Sequence, residues 1–189
     1  SVADATTRDL FVEELETDLA GEVCRFPDWS VSPRNNPVTE WNYLPELHAV
    51  KAPEDLEHLV SRYRAIPAAI DADITALRRG AADGLYPNAE SARRVLAMVE
   101  AQLAKELDTW PLMQPAQVER EGWPAGVAKK LGAELRAAVV ERIRPALTRY
   151  RDLLKATILP EARPSDRTGL VALPFGEACY ATRIRRYTT

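Results

Sequence analysis

The chain has 189 residues, 46% of them hydrophobic and 28% charged, with a formal net charge of −3. A chain of this length buries roughly 70% of the surface its unfolded form exposes, so one domain over residues 1–189 forms a core without a metal or disulfide. The slightly acidic balance gives no electrostatic basis for binding nucleic acid or an anionic membrane, and no run approaches the ~20 apolar residues of a bilayer span or the pattern of a secretory signal.

From about Thr7 to Ala20, Phe11, Leu15 and Leu19 recur every four residues with acids between them, which predicts an amphipathic helix ended by Gly21. Between Phe26 and Val50 the periodicity is lost. Pro27, Pro33, Pro37 and Pro45 interrupt regular hydrogen bonding, and Trp29, Trp41 and Tyr43 alternate with asparagines, so a long aromatic loop is predicted. Such a loop packs over the core or lines a cleft. Pro53, Glu54 and Asp55 make a helix start, with proline at the first position and acids at the positive end of the dipole. Leu56, Leu59, Val60, Tyr63 and Ile66 trace its buried face; Pro67 is expected to break or kink the run before Ile70, Ile74 and Leu77, giving a helical hairpin that stops at Gly80 and Gly84.

Asn88 then caps a helix carrying Val95, Leu96, Val99, Leu103 and Leu107. Trp110 to Gly126 reads as a second irregular connector. Leu131, Leu135, Val139, Ile143, Leu147, Tyr150 and Leu154 form the longest periodic run, a helix that Pro145 should kink. A turn-rich loop from Leu159 to Gly169 and a short apolar run, Leu170 to Leu173, lead to a last helix opened by Pro174 and carrying Tyr180, Ile184 and Tyr187. The predicted fold class is mainly α: an irregular multi-helix bundle with long Pro/Trp-rich loops.

Few residues carry recognisable chemistry. Glu54 and His58 have the four-residue spacing of two metal ligands on a helix, but first-turn acids are expected from the dipole and no second ligand pair stands nearby in sequence. His48 follows the aromatic loop and serves either as a base or as a hydrogen bond tying loop to helix, the structural role being favoured. Asp71 and Asp73 diverge on a helix, which disfavours a shared metal. Arg183, Arg185 and Arg186 are read as a solvated helix face in preference to a nucleic-acid patch. Cys24 and Cys179 are the only thiols. Their separation fits a reduced, cytoplasmic chain better than a disulfide framework, the alternative being one long-range bridge. No nucleophile elbow, phosphate-binding glycine loop or H-E-x-x-H helix occurs.

The C-terminal segment supplies a resemblance. Leu159-Pro160-Glu161-Ala162-Arg163, Gly169-Leu170-Val171-Ala172-Leu173-Pro174-Phe175-Gly176-Glu177-Ala178-Cys179-Tyr180 and Arg186-Tyr187-Thr188-Thr189 resemble the bacterial domain-of-unknown-function 885 family. The order of Leu44-Pro45-Glu46-Leu47-His48, the helix from Pro53 and the turn from Arg78 to Leu85 also looks alike. Members of that family are longer and similar to zinc metallopeptidases, with ligands on helices of a C-terminal half. No position here matches those ligands, so no catalytic residue or cofactor carries over. The resemblance implies the helical N-terminal region, one wall of a substrate cleft, with Gly176 and Tyr180 as candidate contacts beside a tight helix entry and a buried anchor as their structural roles.

Three functions follow as expectations. The first is a non-catalytic helical half or subunit of a zinc-metallopeptidase-like protein, not self-sufficient as a peptidase, which docks a companion chain carrying the zinc site. The second is a free-standing binding or tailoring protein, promoting a cyclisation or rearrangement of a small apolar ligand, with Trp29, Trp41, Tyr43 and His48 around its pocket. The third is a plain interaction module.

Overall fold

In the computed structural model, residues 2–118, 120 and 122–188 are described, apart from the side chains of Val2 and Ala125. Thr189, the end of the double-threonine motif, lies outside them. The mainly α architecture is observed, without a sheet among the described residues. Helices run in the order α1 (Val2–Gly21), α2 (Phe26–Trp29), α3 (Pro37–Asn42), α4 (Leu44–Leu47), α5 (Pro53–Ala82), α6 (Ala89–Ala104), α7 (Gln114–Gln117), α8 (Ala125–Ala138), α9 (Arg144–Leu153) and α10 (Gly176–Thr188).

The centre of the molecule is α5. Its buried residues Leu56, Leu59, Val60, Tyr63, Ile66, Ile70, Ile74 and Leu77 keep three- and four-residue steps straight through Pro67. The break and hairpin expected at Pro67 are therefore absent: one helix of 30 residues runs past it. A proline inside a helix costs ~3 kcal/mol, and burying a single Ile or Leu side chain recovers about 2, so a stripe this long outweighs it. The helix ends where Gly84 takes a left-handed φ of 74°. There the Leu85 N–H donates to the Gly80 carbonyl at 2.8 Å and the Gly84 N–H to that of Ala81 at 3.1 Å, a Schellman turn.

Against α5 pack α8 and α9, joined into one long rod by a π turn over Val139–Ile143. The kink expected at Pro145 takes this form: the wider turn lies just ahead of the residue that has no N–H to donate. A second π turn, Leu154–Ile158, ends the rod. Asn88 caps α6 as predicted, accepting from the N–H groups of Glu90 and Ser91 at 3.0 and 3.2 Å, and α6 packs on α9.

Within their described residues both irregular segments are more ordered than their prolines suggest; Glu119 and Glu121 of the second lie outside those residues. In 26–50, Pro27, Pro37 and Pro45 stand in the first turns of α2, α3 and α4, where a missing N–H costs nothing, and Pro33 sits in the turn that the Asn35 N–H closes onto the Ser32 carbonyl at 3.1 Å. The connector after α6 plugs the core with Trp110, Leu112 and Met113, and the Tyr63 hydroxyl donates to the Leu112 carbonyl at 2.8 Å. A smaller cluster of Trp29, Leu85 and Leu173, with Phe26, Leu170 and Phe175, fastens the C-terminal segment to α2.

Two expectations about the chain ends are corrected. Cys24 and Cys179 form a disulfide across 155 residues, with Cα atoms 4.8 Å apart, where free thiols were favoured. Helix α1 is present, but Phe11, Leu15 and Leu19 are 58, 47 and 66% exposed. Its acids face α10 instead: Arg185 pairs with Glu13 at 2.7 Å and reaches Glu16 at 3.6 Å, and Arg186 pairs with Asp18. No helix is long and apolar enough to cross a membrane among the described residues.

Candidate functional site

Asn36 shapes the segment before α3. Its carbonyl oxygen accepts from the N–H groups of Val38 and Thr39 at 3.0 and 3.3 Å, and its amide donates to the carbonyls of Ser32 and Pro33 at 3.0 and 3.1 Å. The Thr39 hydroxyl accepts in return from the Asn36 N–H at 3.2 Å. With every polar atom bonded, Asn36 tolerates burial and holds the start of α3 over a hollow of about 250 Å³.

The floor and far wall of that hollow come from α5 and α9. Asp73 and Leu77, one turn apart, and Tyr150 face Glu40, Pro27 and Phe26 across it. Tyr150 is only 3% exposed. Burial, and after it the negative charge of Asp73, push its phenol well above the ordinary range. Asp73 is itself raised, first by desolvation and second by Glu40. Neither carboxylate nor the phenol has a hydrogen-bond or ion-pair partner among the described residues. Two exposed carboxylates beside this phenol make one side of the hollow anionic and rich in acceptors, with Phe26, Pro27 and Leu77 as its apolar lining and Ser30 and Asn35 among its polar lining. Sequence reasoning missed this group because Glu40, Asp73 and Tyr150 lie on three helices; the only signal was that Tyr150 puts a hydroxyl on an otherwise apolar stripe.

The residues singled out in the sequence are dispersed. Trp29 is buried in the smaller cluster, its Nε1–H donating to the Cys24 carbonyl at 2.9 Å, with the Arg163 guanidinium 5.5 Å over its ring. Trp41 packs on the main core with its Nε1 buried and unpartnered, whereas Tyr43 is exposed. His48 donates from Nε2 to the Asp55 carbonyl at 2.7 Å, the loop-to-helix bond favoured by the sequence, and borders a shallow hollow of about 300 Å³ with Val50 and Pro115. Gly176 is buried where any Cβ would overlap the Leu170 carbonyl, a tight helix entry. Tyr180 is 54% exposed, so the structural role expected for it, a buried anchor, is not observed.

Glu54 and His58 both face solvent. No three His, Cys, Asp or Glu side chains are grouped to hold a metal among the described residues. Asp71 and Asp73 do diverge: Asp71 takes a two-pronged bond from Arg149, and Asp73 turns to the hollow. Arg183 lies 5.4 Å over the Phe26 ring and 4.9 Å over that of Tyr187, so with Arg185 and Arg186 paired to α1 the three arginines are occupied within the molecule.

Over residues 1–189 the sequence matches the model of a family described as a bacterial protein of unknown function, DUF885. No curated protein and no solved structure matches it.

Proposed function

Because the chain belongs to the bacterial family of unknown function DUF885, we propose that it is the helical, cleft-forming part of a metallopeptidase-like protein, and that a companion polypeptide brings the zinc ligands. The observation that carries this reading is the apolar stripe of α1. Leu10, Phe11, Leu15 and Leu19 sit at helical spacing and face solvent, with Tyr180, Ile184 and Tyr187 exposed on the adjoining α10. Burying one such side chain is worth about 2 kcal/mol, and contiguous exposed apolar surface of this kind marks a surface that binds something. The resemblance to longer, zinc-dependent proteins supplies the identity of the partner. A long-range disulfide persists in an oxidising compartment and not in a reducing cytosol, so the working place of the protein is outside the cytoplasm that unpaired thiols would have implied.

The test is biochemical. The purified chain should hold no stoichiometric zinc and cut no peptide by itself. Added to a polypeptide bearing an H-E-x-x-H helix encoded beside it, it should form a one-to-one complex. Leu15→Glu together with Leu19→Glu should abolish the complex without altering the circular dichroism of the chain. Stoichiometric zinc and peptidase activity in the chain alone would sink the proposal. A second reading, the free-standing small-molecule binder, would have to use the hollow under the 26–43 segment, which Trp29, Trp41, Tyr43 and His48 do not line, and predicts ligand binding without any companion.

A further inference from the structure

We propose that the hollow between α3, α5 and α9 is a binding site for a primary ammonium group carried on a short aliphatic chain. The inference stands apart from the docking reading, because every wall of the site belongs to this chain.

Three observations converge. Glu40 and Asp73 line one cavity of about 250 Å³ and have no cationic partner among the described residues, although arginines are plentiful and elsewhere pair with acids; Arg149 takes Asp71, two residues from Asp73. Tyr150 lines the same cavity while 97% buried, counted as the complement of its 3% exposure, and its hydroxyl has no partner. Glu40 and Asp73 are exposed, and the Tyr150 side chain is buried while its hydroxyl bonds no described residue, so the hollow offers three acceptor groups that one cationic ligand can engage together. Leu77, Phe26, Pro27 and Pro37 give the hollow an apolar side, and Ser30, Asn35 and Asn36 complete its lining.

An alkylammonium matches this inventory. It has three N–H donors and no acceptor, against two carboxylates and one phenolic oxygen, and its methylenes suit the apolar wall. A calcium ion matches less well. It takes six to eight oxygens, and the amide of Asn36 is already spent on backbone groups. The volume admits a small head group with a few carbons and no large ring system.

Calorimetric titration of the intact chain at neutral pH and low salt tests the site. The probes are n-butylammonium against n-butanol, and dialanine amide against its N-acetyl derivative. At least one free-amine probe should bind about tenfold more tightly than its neutral counterpart, the preference expected of charge-assisted bonds. Butylammonium alone binding would identify a free amine as the ligand source, dialanine amide alone a peptide terminus. Asp73→Asn and Glu40→Gln should each weaken that binding about tenfold, and Tyr150→Phe about threefold, with unchanged thermal unfolding. The proposal is overturned if amine and neutral probes bind alike, if the three variants bind as the native chain does, or if calcium binds more tightly than either amine and displaces it.

Discussion

Asp28 is buried on α2 with its carboxylate between two guanidinium groups: Arg25 donates at 2.8 Å and Arg79 from the other side. Desolvation raises the pKa of this acid, but the bonds from Arg79 and Arg25 outweigh it and hold the group below the usual carboxylate range. A folded-state pKa that is depressed contributes stability above the unfolded value, about 4, and that contribution is lost as pH falls through the lower folded value. Asp28→Asn should therefore cost about 2 kcal/mol at pH 7 and flatten the acid limb of the stability curve below pH 4, both measurable by urea unfolding at stepped pH. Beside it, Gly80 lets α5 touch α2. An added Cβ would overlap the Asp28 carbonyl, whose carbon would lie only 2.6 Å away, so Gly80→Ala should cost about 2 kcal/mol or more despite the better helix propensity of alanine. Neither role was legible in the sequence, where Gly80 reads as a helix stop and Asp28 as one acid among many. Both depend on contacts across some 50 residues of chain.

At the scale of elements, periodicity was the reliable signal and punctuation the misleading one. The stripes of α5, α6 and the α8–α9 rod were all readable from apolar spacing, because burial of that spacing is what stabilises those helices. Prolines marked helix starts in α2, α3, α4 and α5 but did not mark a stop at Pro67. A propensity of ~3 kcal/mol is a local term, while the stripe on both sides of it is a sum over eight side chains. It follows that Pro67 is tolerated and not required. Pro67→Ala restores a donor for the Tyr63 carbonyl and should leave the chain equally stable or about 1 kcal/mol more so, after allowing for the greater entropy of its unfolded state. Loss of stability in denaturant titration would show that α5 needs its proline for a bend. For α1 the spacing predicted the helix but not which face would pack, since its acids pair with α10 and Phe11, Leu15 and Leu19 face solvent.

On the scale of the whole molecule, the chain divides by how its parts are fastened. The α5, α6, α8 and α9 core is joined by continuous apolar contact. The α1–α10 pair is joined to each other by ion pairs, to the turn Glu22–Cys24 by packing, and by the Cys24–Cys179 bond. Two cysteines so far apart in sequence carry no spacing signature, which is why their pairing had to be seen in the fold. Exposed ion pairs are worth only a few tenths of a kcal/mol each, so α1 is held to α10 chiefly by the covalent link and the packing around Glu22–Cys24, while the Trp29, Leu85 and Leu173 cluster holds the segment before α10 to α2. Closing a loop of 155 residues removes unfolded-chain entropy equivalent to about 5 kcal/mol in the loop-closure model, the upper end of what such bridges deliver. Reduction should then act unevenly. Amide exchange in α1 and α10 should accelerate by orders of magnitude while that of α5 and α9 changes far less, because the core keeps all its contacts. Since the apolar stripe proposed for docking sits on α1, reduction should weaken complex formation in the same preparation, and a Cys24→Ser, Cys179→Ser chain should behave as the reduced protein does. Uniform protection in α1 after reduction would mean that the ion pairs and the packing around Glu22–Cys24 suffice, and that the bridge is dispensable to the docking surface.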